Sequence, residues 1–296
     1  MTEQVFEKWI AIDSLPHEWA LAKIAVDWSG HPLLLMVDGR GPRPDPEAGR
    51  EVWSCWYRTP PKALHIVFLE GNAVRTIQIA QGIGELALHV QPYDNGWIVG
   101  YSRTGRANLY DGAGALLRTL NLGDAIEDLQ TLPDGRIWVS YFDEGVYGEG
   151  ISTQGLVCFD RSGTAVFRYR QRADSYKLPP IDDCYALNVA MNGDVWVNYY
   201  SDFPLVMLRE MKVCQYWLEF GSLGNAFAVR GDQLIYLRDS KLMTRSLDLA
   251  TLPEEVHCID VSGNRLTPSP SRHLSGAARG ASLVLNTESA IYAAAR

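Results

Sequence analysis

Short alternations of apolar and polar positions, each opened by a tight-turn signal, recur along the whole chain. The segment Pro133-Asp134-Gly135-Arg136-Ile137-Trp138-Val139-Ser140-Tyr141 lies over Met191-Asn192-Gly193-Asp194-Val195-Trp196-Val197-Asn198-Tyr199, and Asp94-Asn95-Gly96-Trp97-Ile98-Val99-Gly100-Tyr101 ends on the same Tyr. The Asp-Gly and Asn-Gly pairs supply the positive φ that two-residue hairpins demand, and the aromatic and β-branched run behind them suits a pleated sheet. Weaker copies occur at 231–237, 288–293 and 30–35. With His31, Asn95, Gly135, Gly193, Asp232 and Ser289 as equivalent points, the spacings are 64, 40, 58, 39 and 57 residues. The shortest match the ~40 residues that four short strands and their turns require. A second hairpin falls between anchors, as at 109–117 and 156–167, so each period predicts a four-stranded antiparallel blade. The last copy runs into Arg296 with no second hairpin, while Val5-Phe6-Glu7-Lys8-Trp9-Ile10-Ala11-Ile12 is a strand without a partner. The expectation is therefore an all-β chain, a single β-propeller domain over 1–296 with six four-stranded blades, its ring closed by the N-terminal strand so that no sheet edge is left exposed.

Asp134-Gly135-Arg136-Ile137-Trp138-Val139, followed by Gly155-Leu156-Val157-Cys158-Phe159-Asp160 and Gly163, resembles the blade repeat of bacterial two-component-regulator sensor propellers. More loosely it is similar to NHL and gluconolactonase-type six-bladed propellers. The resemblance implies a propeller and leaves function open, because such repeats serve packing.

Blade order gives loop length a meaning. Turns within each hairpin fall on one face, and connections between hairpins and between blades fall on the other. The second set holds the insertions, at 38–63, 141–155, 171–183 and 259–280, which is the pattern of a binding face on a repeat scaffold. The first insertion ends in Trp53, Trp56 and Tyr57. The next presents Phe142, Asp143, Glu144 and Tyr147, with Tyr200, Asp202 and Phe203 in the equivalent turn of the following blade. The last carries Arg265, Arg272, His273 and Arg279. Aromatic rings mixed with both charges suit a protein or peptide surface better than a phosphate groove.

Charge sharpens that reading. The chain carries 27 Lys+Arg against 35 Asp+Glu, a formal net charge of −8, with no basic run, which argues against nucleic acid and anionic membranes as partners. The five cysteines are scattered, and the acidic N-terminus lacks the basic segment of a signal peptide, so reduced thiols and a cytoplasmic location are expected. No HxH, HExxH, GxSxG or phosphate-loop pattern occurs among the residues. One acidic set points elsewhere. Glu85, Glu127, Asp128 and Asp183 precede their blade anchors by 10, 8, 7 and 10 residues, and Asn225 precedes Asp232 by 7. Starts of innermost strands converge on a channel mouth, where such oxygens could hold Ca²⁺, and gluconolactonase-type propellers imply ligands of that kind. Unequal offsets spoil convergence, since successive strand residues alternate faces, so no cofactor and no tight metal site are expected. The leading expectation is a noncatalytic interaction module for a protein or peptide. A metal-dependent hydrolase or lactonase with an acidic site at Glu85, Asp183 and Asn225, and a small-molecule or sugar-binding sensor, are the alternatives.

Overall fold

The computed structural model describes residues 2–38, 63–79, 87–102, 104–249, 252–271 and 274–295. After β1 (Glu3–Ala11), the strands β2 (Trp19–Val26), β3 (Pro32–Asp38), β4 (Leu64–Glu70) and β5 (Ala73–Ile79) form an antiparallel four-stranded sheet. The same unit recurs in β6 (Ala87–Tyr93), β7 (Gly96–Tyr101), β8 (Arg106–Tyr110) and β9 (Leu116–Asn121), and again in β10 (Ile126–Thr131), β11 (Ile137–Tyr141), β12 (Leu156–Phe159) and β13 (Ala165–Arg168). A further copy comprises β14 (Asp183–Val189), β15 (Val195–Tyr200), β16 (Leu205–Arg209) and β17 (Lys212–Trp217). The remaining strands are β18 (Ala226–Arg230), β19 (Gln233–Arg238), β20 (Lys241–Ser246), β21 (Glu254–Asp260), β22 (Gly276–Arg279), β23 (Ser282–Asn286) and β24 (Ala290–Ala294). With β1 they make one eight-stranded sheet, ordered β18-β19-β20-β21-β1-β24-β23-β22. The fold is all-β and propeller-like.

The turns work as their residues dictate. Gly135 and Gly193 sit at φ 88° and 86°, a region that L side chains rarely enter. Beside them, Asp134 Oδ1 accepts from the Arg136 amide and Asn192 Oδ1 from the Asp194 amide, both at 3.0 Å. The strand that follows each turn is buried, up to the exposed Tyr200 at the end of β15, with Trp138 packed on Phe167 at 5.3 Å and Trp196 lying nearly parallel to Trp217 at 6.0 Å. Both tryptophans belong to the packing between and within sheets, as expected of repeat aromatics.

The N-terminal strand finds the expected partner and a second one. β1 runs antiparallel to β24, with Phe6 opposite Ala294 and Ala11 opposite Ala290. It also runs parallel to β21, with Glu3 opposite His257, which joins two groups of strands into the eight-stranded sheet where separate four-stranded units were expected. The reason is geometric: an inserted strand offers hydrogen-bonding groups along both edges. Phe6 is fully buried among Ala228, Leu237, Leu285 and Tyr292.

The first strand of each unit lies innermost. β2 touches β6 and β22, β10 touches β6 and β14, and β18 touches β14 and β22. Amide side chains stitch these neighbours together. Gln130 donates to the Leu187 carbonyl at 2.8 Å and accepts from the Val189 amide at 2.9 Å. Asn188 donates to the Phe227 carbonyl at 2.6 Å and accepts from the Gly280 amide at 2.7 Å. Arg279 donates to Gln91 Oε1 at 2.8 Å and to the Thr131 carbonyl. These buried polar side chains bond mostly to the backbone of neighbouring strands, tying one sheet to the next.

Candidate functional site

Because strand direction alternates, every connection that leaves the outgoing end of β3, β7, β11, β15, β19 and β23 emerges on one side, together with those entering β6, β10, β14, β18 and β22. The longest described stretches of connection, 142–155, 169–182 and 261–271, all belong to that side. On it the residue after β11 begins a short helix, Asp143–Val146: the Phe142 carbonyl accepts from the Gly145 and Val146 amides at 3.0 and 2.9 Å. Phe142 is thereby half-buried, while Asp143 and Glu144 project outward. Hydrogen bonding to Asp143, with Asp124 nearby, raises the Glu144 carboxyl above its ordinary value, as crowded like charges require.

Tyr147 ends this helix and is 71% exposed. Its hydroxyl donates to Asp182 Oδ1 at 2.6 Å, and that bond raises the phenol's pKa by favouring the protonated form. The Asp182 amide in turn donates to the Tyr200 carbonyl at 3.0 Å. Tyr200, 46% exposed, meets Phe203 edge-on at 5.7 Å, and Phe203 stacks on Tyr185 at 6.0 Å with planes 17° apart. Three connections thus build one continuous strip, Tyr147–Asp182–Tyr200–Phe203–Tyr185. Sequence pattern singles out Tyr147 and Phe203 but misses Tyr185, which sits in an apolar-rich strand and carries no turn or motif signal.

Behind the strip lies a cleft of about 460 Å³, walled by Tyr185, Phe203, Asn225, Arg238 and Asp239 together with Ser222, Ser240, Ser271 and Ser275. Tyr185 and Asn225 also line a narrower space of about 40 Å³ among the innermost strands, whose walls include Lys23, Gln91, Glu127, Asp128 and Gln130. There Asp128 Oδ1 lies 4.0 Å from Lys23 Nζ and 3.9 Å from His89 Nδ1. Deeper, burial lowers Arg279 to about 10, opposed by the charges of Asp27 and Asp128.

The acidic set assembles only in part. Glu127, Asp128 and Asn225 reach the narrow space, whereas Asp183 is buried at the start of β14 and lines neither cavity. Among the described residues no group of three His, Cys, Asp or Glu side chains is placed to hold a metal ion. Glu85 lies outside the described residues, as do Trp53, Trp56, Tyr57 and Arg272. Bulges explain the outcome. Pairing of the inner strand with its neighbour slips between Leu21 and Lys23, Ala87 and His89, Ile126 and Asp128, and Asp183 and Ala186. A bulged residue breaks simple alternation and re-aims side chains, so Glu127 and Asp128, adjacent in sequence, face the same space. Arg279, expected on an exposed loop, instead closes β22 as a buried strand residue.

The YxzG family model matches residues 156–294, just under half of the chain. No curated protein matches. Among solved structures, the chain is similar to a chain of the mitotic checkpoint complex, at 9% identity and TM-score 0.52 over 95% of this chain and 78% of that one. It is also similar to the extracellular domain of a one-component system from B. thetaiotaomicron, at 11% identity and TM-score 0.47, and to that of a hybrid two-component system from the same organism, at 11% identity and TM-score 0.49. The chain covers 43% and 41% of those two domains, so it spans well under half their length. These likenesses concern the fold alone.

The expectation of a cytoplasmic location is withdrawn: both of those sensor domains are extracellular, and nothing among the described residues points to the cytoplasm. The thiols on which that expectation rested do not report a compartment. Cys158, Cys184 and Cys258 are free and buried, and burial pushes Cys158 and Cys258 up to about 12, while Cys214 is free and exposed.

Proposed function

We propose that the chain is a closed six-bladed ring that acts as a noncatalytic binding module, taking a basic segment of a protein partner across the loop-bearing face. Closure is supported by the cyclic contacts of the innermost strands, in which β22 returns to β2, and by β1 completing the sheet beside β24. The observation that carries the binding reading is the exposed Tyr147, held by Asp182 beside Tyr200. An apolar ring fixed in place by a hydrogen bond loses little entropy on contact, which is what anchor residues offer.

Charge sets the partner's chemistry. Asp124, Asp143, Glu144, Glu149, Asp202 and Glu219 are all exposed on this face. Acids on the opposite side are occupied by their own turns: Asp111 accepts from the Ala115 amide at 2.8 Å, Asp134 from Arg136 at 3.0 Å and Asp160 from Thr164 at 3.0 Å. On the loop-bearing face Asp124 and Asp143 likewise accept from the Ala125 and Glu144 amides at 2.8 Å, but the exposed acids outnumber the exposed Arg170, Arg172, Lys177 and Arg265, an acidic balance that would speed encounter with a cationic segment and weaken with salt.

A peptide array of lysine-rich, acidic and neutral 12-mers tests this with the full chain. Lysine-rich sequences should be retained, with binding reduced about tenfold in Tyr147→Ala combined with Asp182→Asn, a loss of ~1.4 kcal/mol, and the melting temperature unchanged because both side chains project outward. Retention of acidic peptides, or binding indifferent to the double substitution, overturns the reading.

A further inference from the structure

We infer that the 460 Å³ cleft beside the aromatic strip receives an arginine side chain of the partner; this rests on the basic-partner reading above and assigns its anchor. The cleft has the two things a guanidinium uses. The first is an aromatic wall: Tyr185 and Phe203 stack with planes 17° apart, and Tyr185 forms part of the cleft lining. A planar, weakly hydrated cation gains from lying over such a face, which a compact ammonium does less well. The second is a polar lining. Five N–H donors in a fixed fork need several oxygens, and Ser222, Ser240, Ser275 and Asp239 all line the cleft; the Ser222 hydroxyl accepts from the Gly224 amide and the Ser240 hydroxyl donates to the Ser269 carbonyl, which leaves each an acceptor lone pair.

The resident cation does not occupy that role. Arg238 is turned onto its own sheet, with its guanidinium 5.8 Å from the Tyr236 ring and a donor 3.4 Å from the Ser222 carbonyl. Asp239, exposed next to it, makes no ion pair among the described residues. The inner end of the cleft adds a further reason. Tyr185 and Asn225 are shared with the narrow space lined by Glu127 and Asp128, so a cation stacked on Tyr185 sits on the side of the cleft nearest these carboxylates. Lys23 offsets one of them at 4.0 Å from Asp128. Lysine from the partner would gain the charge attraction without the stacking or the fork, so arginine is the side chain the cleft prefers.

The probes are N-acetyl-arginine amide, its lysine counterpart and its citrulline counterpart, titrated into the full chain and followed by amide NMR shifts. Citrulline keeps the shape and most of the donors and removes the charge. Arginine should bind at least tenfold more tightly than citrulline and several-fold more tightly than lysine, with shifts centred on residues 222–225 and 238–240. Tyr185→Leu should weaken arginine about tenfold. Asp239→Asn, at an exposed turn that tolerates Asn, should weaken it several-fold without any risk to folding, so the result does not hang on Tyr185 alone. Equal binding of arginine and citrulline, or arginine shifts that avoid the cleft, overturns the assignment. If the lysine-rich 12-mers still bind through Tyr147 and Asp182 in that case, the basic-partner reading survives and only the arginine anchor falls; if neither probe nor peptides bind, both fall.

Discussion

His65 shows how one residue's surroundings set a pH response. Its ring stacks on Trp19 at 3.9 Å with planes 20° apart, and it is 8% exposed. Burial holds the imidazole below its ordinary 6.5, with Asp38 and Glu18 pulling the other way. The unfolded chain therefore takes up a proton at a higher pH than the folded one does, and folding loses free energy as pH falls through 6.5 toward the lower folded value. Asp194 is shifted the same way for a different reason: its hydrogen bond with Arg209, 2.7 Å away, holds its carboxyl below the ordinary range, so its stabilising contribution is full above that range and is lost as pH falls through it toward the lower folded value. The two windows do not overlap. Thermal unfolding should show a drop in melting temperature between pH 7 and pH 5 that is absent or much smaller in His65→Phe, a ring able to keep the stack on Trp19 without titrating.

At the scale of the element, the helix over Tyr169–Tyr176 ends in a way its sequence disfavours. Lys177 takes φ 55°, and the Leu178 amide bonds back to the Ala173 carbonyl at 3.1 Å, the closure usually made with glycine in the left-handed position. Lys177 is exposed, so its side chain gives the fold nothing that a glycine would remove. Lys177→Gly should stabilise the chain by ~0.5–1 kcal/mol, and Lys177→Val should destabilise it by a similar amount, both read as shifts in a urea or thermal midpoint. Strand elements carry the complementary lesson. Bulges at the entrances of β2, β6, β10 and β14 decide which side chains face the narrow space, and a bulge leaves no mark in the hydrophobic pattern because it costs one residue in a stretch already rich in small and polar types.

At the scale of the whole molecule, β1 is the piece whose removal reaches furthest. It pairs with both β21 and β24 and contributes the fully buried Phe6 to a core shared by β18, β19, β23 and β24. A chain lacking residues 1–12 should unfold at a markedly lower temperature in a single transition, since unpairing β24 also exposes sheet edges. Melting like that of the intact chain, with only a frayed end by hydrogen exchange, would show that β1 is dispensable.

The sequence by itself determined the strands, the turns and the repeat, because hairpin chemistry and period-two burial are local. Gly135 and Gly193 with their preceding Asp and Asn, the buried Trp138 and Trp196, and the partnerless segment at 5–12 are all legible in the order of residues along the chain. It also located Tyr147 and Phe203 on the loop-bearing side, because loop length follows strand order. Tertiary structure alone decided the rest. The parallel pairing of β1 with β21, the burial of Arg279 against Gln91, and the meeting of Tyr185 with Phe203 are contacts between residues from 18 to more than 250 positions apart. The sorting of the acids into Glu127 and Asp128 inside the narrow space and Asp183 outside it depended on bulges. Such choices turn on one residue of register, which shifts a side chain from one face to the other while leaving composition and periodicity unchanged.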